Sequence, residues 1–93
     1  MDLPKLWAQI RTDLMRARDT LPSNAREHEA LREYEELLNQ NELELAIDML
    51  EFYAEKHLVS SEFWIALRDA AEKMKLSGRA RRYEEFSKKR SQR

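Results

Sequence analysis

The chain has 93 residues, of which 42% are hydrophobic and 38% charged, and it contains no cysteine. A chain this long has room for one domain and one core, because folding at this size buries roughly 60 to 65% of the unfolded surface. Without cysteine, a disulfide framework and a thiolate metal site are excluded, and packing alone must hold the fold. The formal net charge of −1 conceals a strongly dipolar chain: residues 1–26 sum to +2, 27–55 to −9, 56–72 to −1 and 73–93 to +7.

The opening residues MDLPKLWAQIRTDL mix charged and apolar side chains, so no signal peptide is expected. The longest apolar run, Phe63 to Leu67, is far too short to cross a membrane.

The first helix is expected over about residues 3–21, with Leu3, Leu6, Trp7, Ile10, Leu14, Ala17 and Leu21 on one face. Asp2 can cap it, Pro4 falls in its first turn, and Pro22 ends it. The opposite face carries Arg11, Asp13, Arg16, Arg18 and Asp19, read as a solvated mixture. A second helix is expected over about 25–38, opened by Asn24 with Glu27 in a capping-box spacing and burying Leu31, Tyr34, Leu37 and Leu38.

The stretch from Tyr34 to Tyr53 organises the rest. Asn41 with Glu44 repeats the cap-and-acid spacing and opens a third helix over about 42–57. On it Leu43, Ala46, Ile47, Leu50, Tyr53 and Ala54 form one apolar face, and Leu45, Met49 and Phe52 a second row, so the helix is expected to be buried from two sides. Glu44, Asp48, Glu51 and Glu55 remain for the outside, stacked into one acidic stripe.

Ser60 is the expected cap of a fourth helix over about 61–76, with Val59 and Trp64 as the ends of a hydrophobic staple. Its buried face is Phe63, Trp64, Leu67, Ala70, Ala71 and Met74, and Arg68 with Glu72 and Asp69 with Lys73 are spaced to pair along its outside. Gly78, the only glycine, stands where a left-handed terminating residue is expected, before a short last helix over about 79–89. There Ala80, Tyr83 and Phe86 point inward, with Glu84–Lys88 and Glu85–Lys89 paired outside. The fold class expected is therefore all-α: an antiparallel bundle of four main helices packed about the third, plus a short C-terminal helix, in one domain.

Catalytic constellations are incomplete. The two histidines are far apart in sequence, His28-Glu29-Ala30-Leu31-Arg32 has Arg32 where a zinc-protease helix needs its second histidine, and no Glu-x-x-His occurs. His57 reads as a helix-end residue, and Trp7 and Trp64 as core. No enzyme, cofactor or metal site is expected.

Charge is the stronger lead. Glu29, Glu33 and Glu36 line the second helix, and Glu44, Asp48, Glu51 and Glu55 line the third. If adjacent, these seven carboxylates make one negative docking face for a basic protein, where complementary charge speeds association and rejects wrong partners. The rival lead is the basic C-terminus, Arg79, Arg81, Arg82, Lys88, Lys89, Arg90 and Arg93, which could contact phosphates. It lacks an interleaved aromatic platform.

Tyr34-Glu35-Glu36-Leu37-Leu38-Asn39-Gln40-Asn41-Glu42-Leu43-Glu44-Leu45-Ala46, followed by Phe63-Trp64 and Ala70-Ala71-Glu72-Lys73-Met74, resembles the MafI-like immunity proteins of bacterial polymorphic and contact-dependent toxin systems. Members share a segment Y-x-x-x-L-x-x-N-E-L-x-L-A and a later F-W ahead of an amphipathic helix. The likeness spans about residues 31–86. It implies a small cytoplasmic protein that binds and neutralises one cognate toxin domain, often a nuclease, without catalysis. The partner expected is that toxin, with no small-molecule substrate, no membrane and no nucleic acid. The alternatives are a nucleic-acid-binding module using the basic C-terminus, and a helical scaffold or chaperone that offers a groove to a partner helix.

Overall fold

The computed structural model describes residues 2–91. It holds five α-helices and one 3-10 turn, with no strand among the described residues: α1 (Leu3–Asp19), the turn Ser23–Glu27, α2 (Glu29–Asn39), α3 (Leu43–Lys56), α4 (Ser61–Lys73) and α5 (Ser77–Ser91). Among the described residues, no helix is long and apolar enough to cross a membrane.

Local signals account for most of the boundaries. Asp2 accepts the backbone N–H of Lys5 at 3.1 Å to cap α1, and Ser60 accepts that of Phe63 at 3.3 Å to cap α4. Val59 and Trp64 on either side of Ser60 are both buried. The second helix starts later than its capping-box spacing suggests. Ala25 is buried, which draws residues 23–27 into a 3-10 turn, and His28 becomes the cap, its Nδ1 accepting the N–H of Ala30 at 3.1 Å.

The expected helix-starting role of Asn41 and helix-ending role of Gly78 are both corrected. Asn41 has φ 59° and closes α2, with the N–H of Glu42 bonded to the carbonyl of Leu37 and that of Asn41 to Leu38. Lys75, with φ 62°, closes α4 in the same way, through Leu76 to Ala71 and Lys75 to Glu72. Both are the paired 6→1 and 5→2 bonds of a left-handed helix terminus. Gly78 has no positive φ and lies inside the first turn of α5, so α4 ends three residues early and α5 is a full-length helix of 15 residues.

α1 packs on α4, α2 on α3, and α5 on α4, while α1 also touches α3. The Cα extents of 40 × 28 × 17 Å correspond to about two layers of helices at ordinary packing distances. Leu14, Leu31, Tyr34, Ile47, Leu50, Phe63, Leu67 and Tyr83 are the large side chains fully buried between them. The centre is shared. The inner face of α3 lies in the core as expected, but α4 is the helix against which both α1 and α5 rest.

Three expectations about faces are overturned. Trp7 is 40% exposed: α1 is buried along Ile10, Leu14 and Ala17, and its first turns are only partly covered, through Leu6. The second apolar row of α3 is not buried: Leu45 is 49% and Phe52 44% exposed, with only Met49 partly packed. The polar side of α1 is not simply solvated. Asp13 is buried and holds Lys73 at 2.6 Å and Arg16 at 3.1 Å, Arg16 reaches Asp69 at 2.8 Å, Arg18 reaches Glu35 at 3.1 Å, and Arg11 donates to the Leu38 carbonyl. The pairs expected along α4 are replaced: Asp69 and Lys73 reach α1 through Arg16 and Asp13, and Arg68 bonds its neighbour Asp69 and, across to α5, Glu84.

Candidate functional site

The acidic stripe of α3 meets the basic start of α5. Arg79 holds Asp48 at 2.7 Å and Glu51 at 3.0 Å, and Arg82 holds Glu51 at 2.9 Å. Arg79 also donates through Nε to the Tyr83 hydroxyl at 3.0 Å, and that hydroxyl donates in a short bond to Glu51. Glu51 is thus the acceptor for three donors. Burial works to raise its pKa, but the Tyr83 hydrogen bond and the charges of Arg82 and Arg79 together bring it below the ordinary glutamate value. The Tyr83 hydroxyl is pushed far up, by burial first and then by the carboxylate it donates to. Asp48 and Glu51 therefore anchor α5 in the free protein.

The other five carboxylates of the expected docking face are arranged differently. Glu29, Glu33 and Glu36 on α2 and Glu44 and Glu55 on α3 are exposed, and none makes an ion pair among the described residues. Beside Glu44 and Glu55 on α3 runs the row Leu45, Met49 and Phe52, exposed at Leu45 and Phe52 and half-buried at Met49, closed at its far end by Lys56, whose ammonium stands 4.7 Å above the Phe52 ring. A shallow groove of about 340 Å³ lies along this face, with Met49, Phe52 and Glu55 on one wall and Arg79 and Arg82 on the other. The structure brings an apolar ridge and two free carboxylates together on α3.

Leu45 and Phe52 are the surface residues that sequence reasoning assigned to the core. The signal that finds them is angular: at 100° per residue they lie roughly 140° to 160° around the helix from the buried row, too wide for one neighbouring layer to cover both.

The basic C-terminus is partly spent. Arg79 and Arg82 face α3, Arg81 is exposed, and Lys88 and Lys89 lie at the surface, while the side chain of Arg90 and all of Arg93 lie outside the described residues.

The two histidines, 29 positions apart, are neighbours in space, with ring centroids 5.1 Å apart; Tyr53 stacks on His57 at 4.1 Å. Each ring commits one nitrogen to the backbone. His28 accepts from Ala30, and the Nδ1–H of His57 donates to the Tyr53 carbonyl at 3.0 Å, completing the last turn of α3. Among the described residues neither ring bonds to a serine, threonine or lysine, and no group of three or more potential metal-ligating side chains forms.

A second open groove, about 400 Å³, lies where both left-handed helix ends meet α1, lined by Leu6, Trp7, Ile10, Leu43 and Met74. Compared with known proteins, the chain matches no family model, no curated protein and no solved structure.

Proposed function

We propose that the chain is a non-catalytic immunity protein, which binds and neutralises a cognate bacterial toxin domain in the cytoplasm through a protein–protein interface. The scaffold is read as an antiparallel bundle of four main helices with α5 laid against α4. The observation that carries the reading is the outer face of α3, where Leu45 and Phe52 stand exposed between the unpaired carboxylates of Glu44 and Glu55. Apolar anchors with a charged rim are the anatomy of a specific interface, in which the rim guides the encounter and the anchors set the lifetime. Glu29, Glu33 and Glu36 add exposed negative charge on α2, and Asp48 and Glu51 hold α5. A nuclease is a fitting partner, since a protein that grips a phosphate backbone is basic where it does so. The resemblance of the Tyr34–Ala46 segment to MafI-like immunity proteins supports the same reading.

The test is affinity capture from the native bacterium after nuclease treatment, washed across a salt series. One stoichiometric basic protein, whose recovery falls with salt and whose toxicity the chain suppresses, is the expected result. Recovery of nucleic acid from a parallel sample not treated with nuclease, without a dominant protein, would transfer the function to the C-terminal arginines and lysines.

A further inference from the structure

We infer that the outer face of α3 receives an amphipathic helix of the partner, one that carries basic residues along one flank of its apolar stripe. This rests on the reading that the chain binds a protein, and adds which element of that protein docks and where.

The argument begins with spacing. Leu45, Met49 and Phe52 recur at four and three residues, so they form one straight ridge, about 10 Å long at 1.5 Å rise per residue. That is two helical turns. A partner helix laid along it meets the ridge with its own residues at i, i+4 and i+7, the usual anchor spacing of a helix seated in a groove. Glu44 and Glu55 border one side of the ridge, about 16 Å apart along the axis, and neither has a cationic partner among the described residues. Their side therefore calls for lysine or arginine at the two ends of the partner's flank and not at its middle, where Arg79 and Arg82 already cover Asp48 and Glu51. Lys56 sits over Phe52 rather than against an acid, so it can swing aside and expose the ring.

A second copy of this chain fits poorly. In an antiparallel pairing of α3 with itself about Met49, the ridge would meet itself, but Glu44 would lie against the other copy's Glu55 and the reverse. Like charges at that range oppose association. A basic helix meets the same ridge with the opposite sign of charge.

Two synthetic alanine-based helices, each about four turns long and bearing leucines at the anchor spacing, serve as probes, one with arginines on the flank and one with glutamates. Fluorescence anisotropy at low salt should show the arginine peptide binding at least about tenfold more tightly than the glutamate peptide. Phe52→Ser should abolish that binding, and Glu44→Lys with Glu55→Lys should reverse the preference. Leu58→Ser, at a residue 80% exposed outside the ridge, should change nothing. Equal binding of the two peptides, or no binding of the arginine peptide, overturns the inference. So does a wild-type dimer in sedimentation that Phe52→Ser dissolves, since the ridge would then be covered by a second copy. Thermal melts of each variant establish that it is folded, and Glu55→Lys alone, at an exposed position, preserves the test should Phe52→Ser be unstable. If the native bacterium yields a toxin whose capture is indifferent to Phe52→Ser and Glu55→Lys, the helix site is wrong while the immunity reading survives. If no toxin is captured, the immunity reading fails whatever the peptides do.

Discussion

Tyr34 is wholly buried, yet its hydroxyl has no hydrogen-bond partner among the described residues. Leaving a buried hydroxyl unpaired costs roughly 1 to 3 kcal/mol, so Tyr34→Phe is expected to raise stability by about 1 kcal/mol. Chemical denaturation of the two proteins measures this directly; a loss of stability would mean that a buried water completes the bond. Glu51 is the opposite case, a carboxylate with three donors. Glu51→Gln removes the charge from that cluster and should cost about 1 to 3 kcal/mol at neutral pH. Because the folded-state pKa of Glu51 lies below its unfolded value, its contribution is complete above the ordinary glutamate range and disappears as pH falls through the lowered folded value. Asp69, whose burial is outweighed by the hydrogen bonds from Arg16 and Arg68, behaves alike. Stability measured from pH 7 downward should therefore fall less steeply in Glu51→Gln than in the wild type.

The helix ends show what was legible in the residues and what was not. Asp2, Ser60 and the Val59–Trp64 flanks are local signals, complete within five residues, and the structure contains them as read. Gly78 misleads because glycine is merely the best left-handed residue, and Lys75 accepts that conformation one turn earlier, where it leaves Leu76 partly buried. Gly78 is then an ordinary helical position, and a Cβ built there meets nothing within 4 Å. Gly78→Ala should stabilise the protein by about 0.5 to 1 kcal/mol, and Lys75→Gly should also be stabilising as it relieves the left-handed strain. Both are read from thermal melts, and a destabilised Gly78→Ala would mean that α5 starts later than Ser77. For α3 the buried row was legible from its 3.6 period, and the wide angle from that row to Leu45 and Phe52 was legible too, but the pattern does not say whether a second neighbour covers them, and here none does. Leu50 is the residue on which that buried row turns: Leu50→Ala should cost about 2 to 5 kcal/mol.

At the scale of the molecule, the charge imbalance of the sequence is in part an internal affair. The carboxylates of residues 27–55 and the cations after residue 73 read as two opposed surfaces, but part of each meets the other through Asp48, Glu51, Arg79 and Arg82. That pairing crosses about thirty residues of chain, which is why neither the site nor its neutralised portion could be recognised from local spacing. Replacing Arg79 and Arg82 together by glutamate should undock α5 from α3 and lower the denaturation midpoint. The deficit should shrink in high salt, where the new repulsion is screened. A deficit that ignores salt would assign the loss to packing around Tyr83 instead.

The α3–α5 seam also sets an order of events during synthesis. When Lys56 has left the ribosome, the arginines that cover Asp48 and Glu51, 23 and 26 residues further along the chain, are still inside its exit tunnel. Until they emerge the nascent chain presents Glu51 uncovered, beside the exposed ridge of Phe52. A basic, amphipathic segment arriving from outside could occupy the place that α5 later takes.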